Sequence, residues 1–164
     1  MKGRRKQFEP SPGDVFLIRQ SDLRFTAGQV LDCPNRNIAT IALVWPRFDS
    51  SIDATTDKVS TSKVFAAIST TSDLLKSGDW DVLGKTNLIL PRQQWPNEST
   101  RTRDWIGMTV QGSGLVEAFL EACIGKTEWD DWYDPNFWNH FSWMLQYDLQ
   151  QYDSRTKYLN LLIQ

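Results

Sequence analysis

Carboxylates and large aromatic side chains are crowded into one stretch near the end of the chain. Its members are Glu128, Trp129, Asp130, Asp131, Trp132, Tyr133 and Asp134. Aromatic side chains supply much of the contact energy at protein interfaces, and a field of one sign raises the association rate of an oppositely charged partner by roughly 10- to 1,000-fold. The stretch therefore predicts a binding site for a basic protein, such as a nuclease whose active site accepts phosphates. The alternative interpretation places Trp129 and Trp132 in the core at helical spacing, with the acidic residues on a solvated face.

Catalytic chemistry has fewer candidates. His140 is the only histidine, so no pair of histidines can divide acid and base roles. Asp130 and Asp131 are adjacent, and adjacent side chains generally point apart, which does not suit a catalytic pair. The pattern Gly112-x-Gly114 before a predicted helix could bind an anion, but it lacks the third glycine of a dinucleotide-binding loop and the lysine of a phosphate loop. We interpret it as a structural turn and predict no enzymatic activity, no metal and no cofactor.

A helix is predicted to follow the acidic stretch, with Asp134 as its N-cap and Pro135 in its first position. At 100° per residue its apolar residues fall within about 140° of one another, which is the width of a core-facing stripe. Trp143 and Tyr147 lie on the opposite side, where solvent would normally be, so we predict that they extend the partner-binding site. The alternative is that the C-terminal tail, residues 157–163, covers them as a strand or a last helical turn.

The first two thirds of the chain contain short apolar runs separated by turn residues, the pattern of an antiparallel sheet. Strands are predicted at residues 14–19, 25–31, 37–45, 59–69, 80–83, 87–90 and 105–110. Polar loops are predicted at residues 47–58 and 91–103, a short helix between Ser72 and Gly78, and a helix between Gly112 and Gly125. The predicted fold class is α+β: a curved antiparallel sheet or partly closed small β-barrel, with two C-terminal helices packed on it.

Length and composition fit a single domain over residues 1–164, with a flexible basic arm at residues 1–11. The net charge of −2 and the pI near 5.4 argue against a general nucleic-acid binder. The basic start leads into polar residues and prolines, so no signal peptide is predicted, and no apolar run is long enough to span a membrane. Cys33 and Cys123 lack a Cys-x-x-Cys spacing, so we expect reduced thiols in a cytoplasmic protein.

Two blocks in the first half of the chain resemble a known family. The first combines Lys2-Gly-Arg4-Arg5-Lys6 with Pro12-Gly13-Asp14-Val15-Phe16, Ile18 and Gly28-x-Val30-Leu31, and the second is Leu75-x-x-Gly78-x-Trp80-x-Val82-x-Gly84. Both resemble blocks of the immunity protein 26 family, which belongs to bacterial polymorphic-toxin and contact-dependent growth inhibition systems. The resemblance implies a cytoplasmic immunity protein that binds the toxic C-terminal domain of a cognate toxin and masks its active site or substrate path.

Two other functions stay open at this stage. Small-barrel endoribonuclease toxins also begin with a Gly-Asp strand, as Gly13-Asp14 does here. The Arg-Pro pair that they typically carry after the second strand is missing, because Asp32-Cys33-Pro34 stands near that place, and the acidic C-terminal region would repel RNA. The third possibility is an interaction module for another basic protein, which only the identity of the partner would distinguish from an immunity protein.

Overall fold

Antiparallel strands form one five-stranded sheet in the computed structural model, which describes residues 7–124 and 126. The strands are β1 (Asp14–Arg19), β2 (Phe25–Asn35), β3 (Ile38–Trp45), β4 (Lys63–Thr71) and β5 (Asp81–Lys85). Their order in the sheet is β4-β3-β2-β1-β5, so β1 to β4 follow one another and β5 returns beside β1. The predicted α+β class is confirmed. Of the two predicted forms the open sheet is observed, because β4 and β5 form its two edges.

Helices follow three of the strands in this part of the chain. They are α1 (Thr56–Thr61), α2 (Asp73–Ser77) and α3 (Ser113–Cys123), with 3-10 helices at Arg92–Gln94 and Glu98–Arg103. Gly78 ends α2 in the left-handed conformation (φ 86°), as predicted. The helix predicted after Gly112 is observed as α3, on which Val116, Phe119, Leu120 and Cys123 are buried. Gly125, the helix predicted from Asp134, the tail at residues 157–163 and residues 1–6 lie outside the described residues.

Both faces of the sheet are covered. On one face Phe16 stacks on Trp80 with ring centroids 5.5 Å apart, and Phe65 of β4 stacks on Phe119 of α3 at 6.3 Å. The other face is covered by two segments, one at residues 48–59 and one at residues 89–95. Burial of a large apolar side chain contributes about 1.5–3 kcal/mol, so these two layers hold the sheet. Between these layers β3, which carries no charged residue, is buried on both sides.

Gly28 lies at the centre of the sheet, in a regular part of β2. It pairs regularly with Phe16 and Leu43, and the register shifts of β2 come later, after Val30. A Cβ atom on Gly28 would lie 2.5 Å from Cζ of Phe16 and 2.7 Å from the carbonyl oxygen of Ala42. The glycine is therefore required because the Phe16 ring lies across it.

The prediction of a strand at residues 87–90 is wrong. The backbone groups of this segment are bonded to a buried side chain and not to a neighbouring strand. Nε2 of Gln29 donates to the carbonyl oxygens of Thr86 (3.1 Å) and Asn87 (2.9 Å), and its Oε1 accepts a hydrogen bond from the Ile89 amide (2.9 Å). Backbone groups that are removed from water need partners, and here one glutamine supplies them. The segment is thereby held across the sheet without forming a strand.

Two other boundaries also differ from the predictions. Residues 59–61 belong to α1, whose N-cap Thr55 accepts a hydrogen bond from the Lys58 amide at 3.2 Å, so the fourth strand begins only at Lys63. Residues 105–110 form no strand, because Asp104 (φ 52°) and Trp105 (φ 65°) are left-handed. The next residue, Gln111, forms a bridge to Thr70 at the edge of β4.

No helix within residues 7–124 is long and apolar enough to cross a membrane.

Candidate functional site

All nine residues predicted to bind a partner lie outside the described residues. They are Glu128, Trp129, Asp130, Asp131, Trp132, Tyr133, Asp134, Trp143 and Tyr147. Their grouping into one surface therefore stays a prediction. Within the described residues, large exposed apolar side chains point to two other surfaces.

The first surface lies at the end of the sheet where β1 turns into β2. The chain after β3 runs beside this turn: the amides of Phe25 and Phe48 each donate to the carbonyl oxygen of the other, at 2.9 and 2.8 Å. One residue further out, Nε of Arg24 lies 2.7 Å from Oδ1 of Asp49. The N–H of Arg24 is not aimed at that oxygen, so we count this contact as an ion pair and not as a hydrogen bond. The turn and the loop after β3 therefore form one unit.

A buried ion pair lies beneath this unit. The guanidinium of Arg47 donates to both carboxylate oxygens of Asp22, at 2.9 and 2.6 Å, and the side chain of Arg47 is only 6% exposed. Arg47 also donates to Oε1 of Gln20 at 3.2 Å, and the hydroxyl of Thr26 donates to the same oxygen at 2.7 Å. A bidentate pair of this kind fixes orientation as well as adding energy. The β1–β2 turn is thereby locked to the loop after β3.

The pKa of Asp22 reflects this pairing. Chiefly through the hydrogen bond from Arg47, the pKa falls from 3.8 to about 2, against the opposing effect of burial. The carboxylate is therefore charged at every pH above about 4. The ion pair between Asp22 and Arg47 therefore joins the turn to the loop over the whole physiological pH range.

The end of α3 is fastened to the same turn. Nε2 of Gln20 donates to the carbonyl oxygen of Leu120 at 3.0 Å. The amide and the hydroxyl of Ser21 donate to the two carboxylate oxygens of Glu121, at 2.9 and 2.5 Å. The turn, the loop after β3 and the last turn of α3 therefore form one rigid end of the molecule.

This rigid end presents apolar side chains to solvent. Leu23 is 63% exposed and has a left-handed backbone (φ 69°), which is uncommon for a residue other than glycine. Ile52 is 87% exposed in the neighbouring loop, where Asp49 and Asp53 flank it. We call Leu23, Asp49, Ile52 and Asp53 the turn-end surface. Its residues are two large apolar groups and two carboxylates on a braced support.

The second surface is the segment at residues 92–108, which we call the Arg–Trp loop. Arg101 holds it together: Nη2 donates to Asp32 at 2.5 Å, and Nε donates to Glu98 at 2.8 Å. The same guanidinium lies over the ring of Trp105, 4.6 Å from its centroid. These hydrogen bonds, the one to Glu98 being the strongest influence, raise the pKa of Arg101 above its ordinary value. The arginine therefore anchors the loop to the end of β2.

Two further polar side chains of the Arg–Trp loop are used internally. Arg92 donates to Glu98 at 2.7 Å and lies 5.9 Å from the centroid of the Trp95 ring. The indole N–H of Trp95 donates to the carbonyl oxygen of Leu90 at 2.9 Å. Ile106, which is 72% exposed, is the large apolar group that this loop presents to solvent, next to the exposed charges of Arg103 and Asp104.

A cleft of about 380 Å³ separates the Arg–Trp loop from the edge of β4. Asn97 spans it: its Nδ2 donates to Oγ of Ser69 (2.9 Å) and to the carbonyl oxygen of Thr109 (2.8 Å), and its Oδ1 accepts from the Thr109 amide (2.8 Å). The carboxylate of Glu98, which also lines the cleft, is held by Arg92 and Arg101. The polar groups of the cleft thus bind one another.

Metal and thiol chemistry have little support in this part of the chain. Residues 7–124 contain no group of three His, Cys, Asp or Glu side chains that could hold a metal ion. Cys33 and Cys123 are free thiols. Burial, with the nearby charge of Asp32, raises the pKa of Cys33 to about 11, and its Sγ contacts the carbonyl oxygen of Pro10 at 3.4 Å. A thiol with so high a pKa is a poor nucleophile at neutral pH.

The sequence contained signals for both surfaces that our predictions did not use. Ile52 is a large apolar residue in a polar loop, between Asp49 and Asp53. The spacings Arg92-x-x-Trp95 and Arg101-x-x-x-Trp105 place each arginine within reach of an aromatic ring in a tight turn. Comparisons with protein-family models, with curated proteins and with solved structures found no match. The family therefore stays a prediction from the two sequence blocks.

Proposed function

We propose that this chain is an immunity protein that binds and neutralises the toxic C-terminal domain of a cognate bacterial toxin. It acts by masking the active site or the substrate path of the toxin, without turnover and without a cofactor. The toxin activity that best suits its carboxylates is that of a basic nuclease, and the site of action is the cytoplasm. The resemblance to the immunity protein 26 family is the source of this proposal.

One observation on the described residues supports it. Large apolar side chains are presented to solvent on turns that are braced from beneath, and Ile52 on the turn-end surface is 87% exposed. A surface that is already ordered loses little conformational freedom when a partner binds, so more of the contact energy becomes affinity. Inhibitors that must outcompete a substrate need such an arrangement.

Calorimetry tests the proposal with the full chain and the C-terminal domain of the toxin encoded beside it. The toxin domain carries an inactivating substitution so that it can be produced, and an unrelated toxin domain serves as the control for specificity. We expect tight one-to-one binding to the cognate domain alone. In cells that express the active toxin domain, the same chain should restore growth.

Absence of both binding and rescue would contradict an immunity function. Hydrolysis of RNA by the purified chain would then favour the endoribonuclease alternative. Tight binding to a basic protein other than a toxin would favour an interaction module.

A further inference from the structure

Ile52 is the most exposed large apolar side chain among the described residues. It is 87% exposed, compared with 72% for Ile106 and 63% for Leu23. Its loop is held in shape, because the hydroxyl of Ser50 donates to Asp53 at 3.0 Å and the amide of Thr55 donates to the carbonyl oxygen of Asp53 at 3.1 Å. A single exposed apolar side chain is common on protein surfaces, but one that an ordered loop holds beside carboxylates can act as an interface anchor.

The charges nearest Ile52 in the sequence are mostly negative. Asp49, Asp53 and Asp57 follow one another at spacings of four residues, and Arg47 and Lys58 stand at the two ends of this run. Arg47 pairs with Asp22 and Arg24 pairs with Asp49, but within residues 7–124 no cationic side chain lies at ion-pair distance from Asp53 or Asp57. Asp53 and Asp57 outnumber Lys58, so the loop carries an excess of negative charge that attracts a basic surface.

The Arg–Trp loop has no comparable surplus, because its two charged side chains outside the ion pairs, Arg103 and Asp104, are of opposite sign. Its arginines at 92 and 101 share Glu98, and Arg101 is also bonded to Asp32. A partner would have to break these contacts before it could use the charges, which would cancel much of the gain.

We infer that the turn-end surface is the face that contacts the toxin domain, with Ile52 inserted into an apolar pocket whose rim carries lysine and arginine side chains. This inference rests on the proposed immunity function. Burial of Ile52 slows the dissociation of the complex, and the carboxylates of Asp49, Asp53 and Asp57 accelerate its association.

A matched pair of variants tests the role of Ile52. Ile52→Ser and Ile106→Ser each remove one exposed isoleucine from a loop, so both should fold like the wild type. For the inactivated toxin domain we expect Ile52→Ser to raise Kd by about 10- to 100-fold, mainly through faster dissociation, and Ile106→Ser to change it by less than about 2-fold. Thermal unfolding of both variants checks that the fold is intact.

A second pair of variants tests the carboxylates. Replacing Asp49, Asp53 and Asp57 together with Asn should slow association by about 10-fold at low salt and flatten its salt dependence. Replacing three other exposed carboxylates, those of Asp79, Asp81 and Asp104, changes the net charge equally and should leave most of the rate intact.

The possible results separate this inference from the function on which it rests. If the wild-type chain does not bind the toxin domain, the proposed function fails and this inference with it. If the wild type binds and Ile52→Ser binds equally well, only the assignment of the surface fails. If sedimentation shows a dimer of the free chain that Ile52→Ser dissociates, the occupant is a second copy, and the assignment to the toxin is overturned.

Discussion

The turn end and the Arg–Trp loop are both organised by an arginine, but the two arginines have different places. Arg47 lies beneath the turn end, almost fully buried, and its carboxylate partner Asp22 comes from the neighbouring turn. Arg101 lies at the surface of its own loop, where it contacts Asp32, Glu98 and the Trp105 ring. At the turn end the charged pair orders the surface from below. In the Arg–Trp loop the charged pairs are themselves the surface.

This difference decides what each region can offer to a partner. At the turn end the carboxylates of Asp53 and Asp57 have no ion pair with another described residue, and the side chains of Leu23 and Ile52 are exposed, because the main ordering ion pair lies beneath them. The Arg–Trp loop covers the sheet near β4 and uses its polar groups for that purpose. We therefore regard the first region as the binding face and the second as a cover for the core.

The largest effect is expected at the buried pair. Replacing Arg47 with Met leaves Asp22 without its main partner, and removal of one member of a buried ion pair typically costs about 3–5 kcal/mol. Urea denaturation should show a loss of that size in the free energy of unfolding. Arg92→Met is the matched control, because its ion pair is exposed, and it should cost less than about 1 kcal/mol. Equal losses in the two variants would contradict the distinction between the regions.

The second effect depends on pH. Because the folded-state pKa of Asp22 is about 2 and its unfolded value is 3.8, its ionisation stabilises the folded state above pH 3.8, and this contribution is lost as pH falls from about 4 to about 2. The shift corresponds to about 2 kcal/mol. The difference in unfolding free energy between wild type and Asp22→Asn should therefore shrink across this window. A difference that stayed constant from pH 6 to pH 2 would show that Asp22 is not the titrating group.

A smaller effect is expected at the Arg–Trp loop. Replacing Arg101 with Met removes two partly exposed ion pairs and a cation–π contact, which together contribute about 1–2 kcal/mol. Trp105 should become more mobile. Its fluorescence, isolated by subtracting the spectrum of the same protein carrying Trp105→Phe, should shift to the red and be quenched more easily. Toxin affinity should stay within about 2-fold of the wild type. A large loss of affinity with an intact fold would move the binding face to this loop.

The smallest effect has the opposite sign. Leu23 has a left-handed backbone, which costs an L-residue roughly 1–2 kcal/mol, while glycine adopts it freely but loses about 0.5–1 kcal/mol through chain entropy. Leu23→Gly should therefore stabilise the free protein by about 0.5 kcal/mol in urea denaturation and weaken toxin binding. A variant that gained stability and kept full affinity would show that Leu23 is outside the interface.

The core of the fold could be predicted from the sequence because its signals are local. The apolar run at residues 14–19, between turn residues, predicted the bounds of β1, and Gly78 marked the end of α2. Gln29 shows where this approach fails: nothing near it in sequence indicates that its side chain satisfies backbone groups almost 60 residues away. The left-handed turn at Asp104 and Trp105 is equally invisible, because neither residue is a glycine.

The candidate site was harder to predict because exposure is a tertiary property. Ile52 is one apolar residue in a polar loop in the sequence, and contacts that only the fold shows, among them those of Arg47 with Asp22, order the loop as a surface. The carboxylates and aromatics at residues 128–134 are conspicuous in composition, and their role stays a prediction. Composition identifies groups that can bind a partner, but the contacts beneath them decide whether these groups are ordered at the surface.

Hydrogen exchange of backbone amides, measured on the free chain and on its complex with the inactivated toxin domain, tests the central claim most directly. The turn-end assignment predicts slower exchange on binding in peptides that cover residues 20–25 and 47–57, with little change over residues 92–108. Slower exchange over residues 92–108, with none at the turn end, would contradict it.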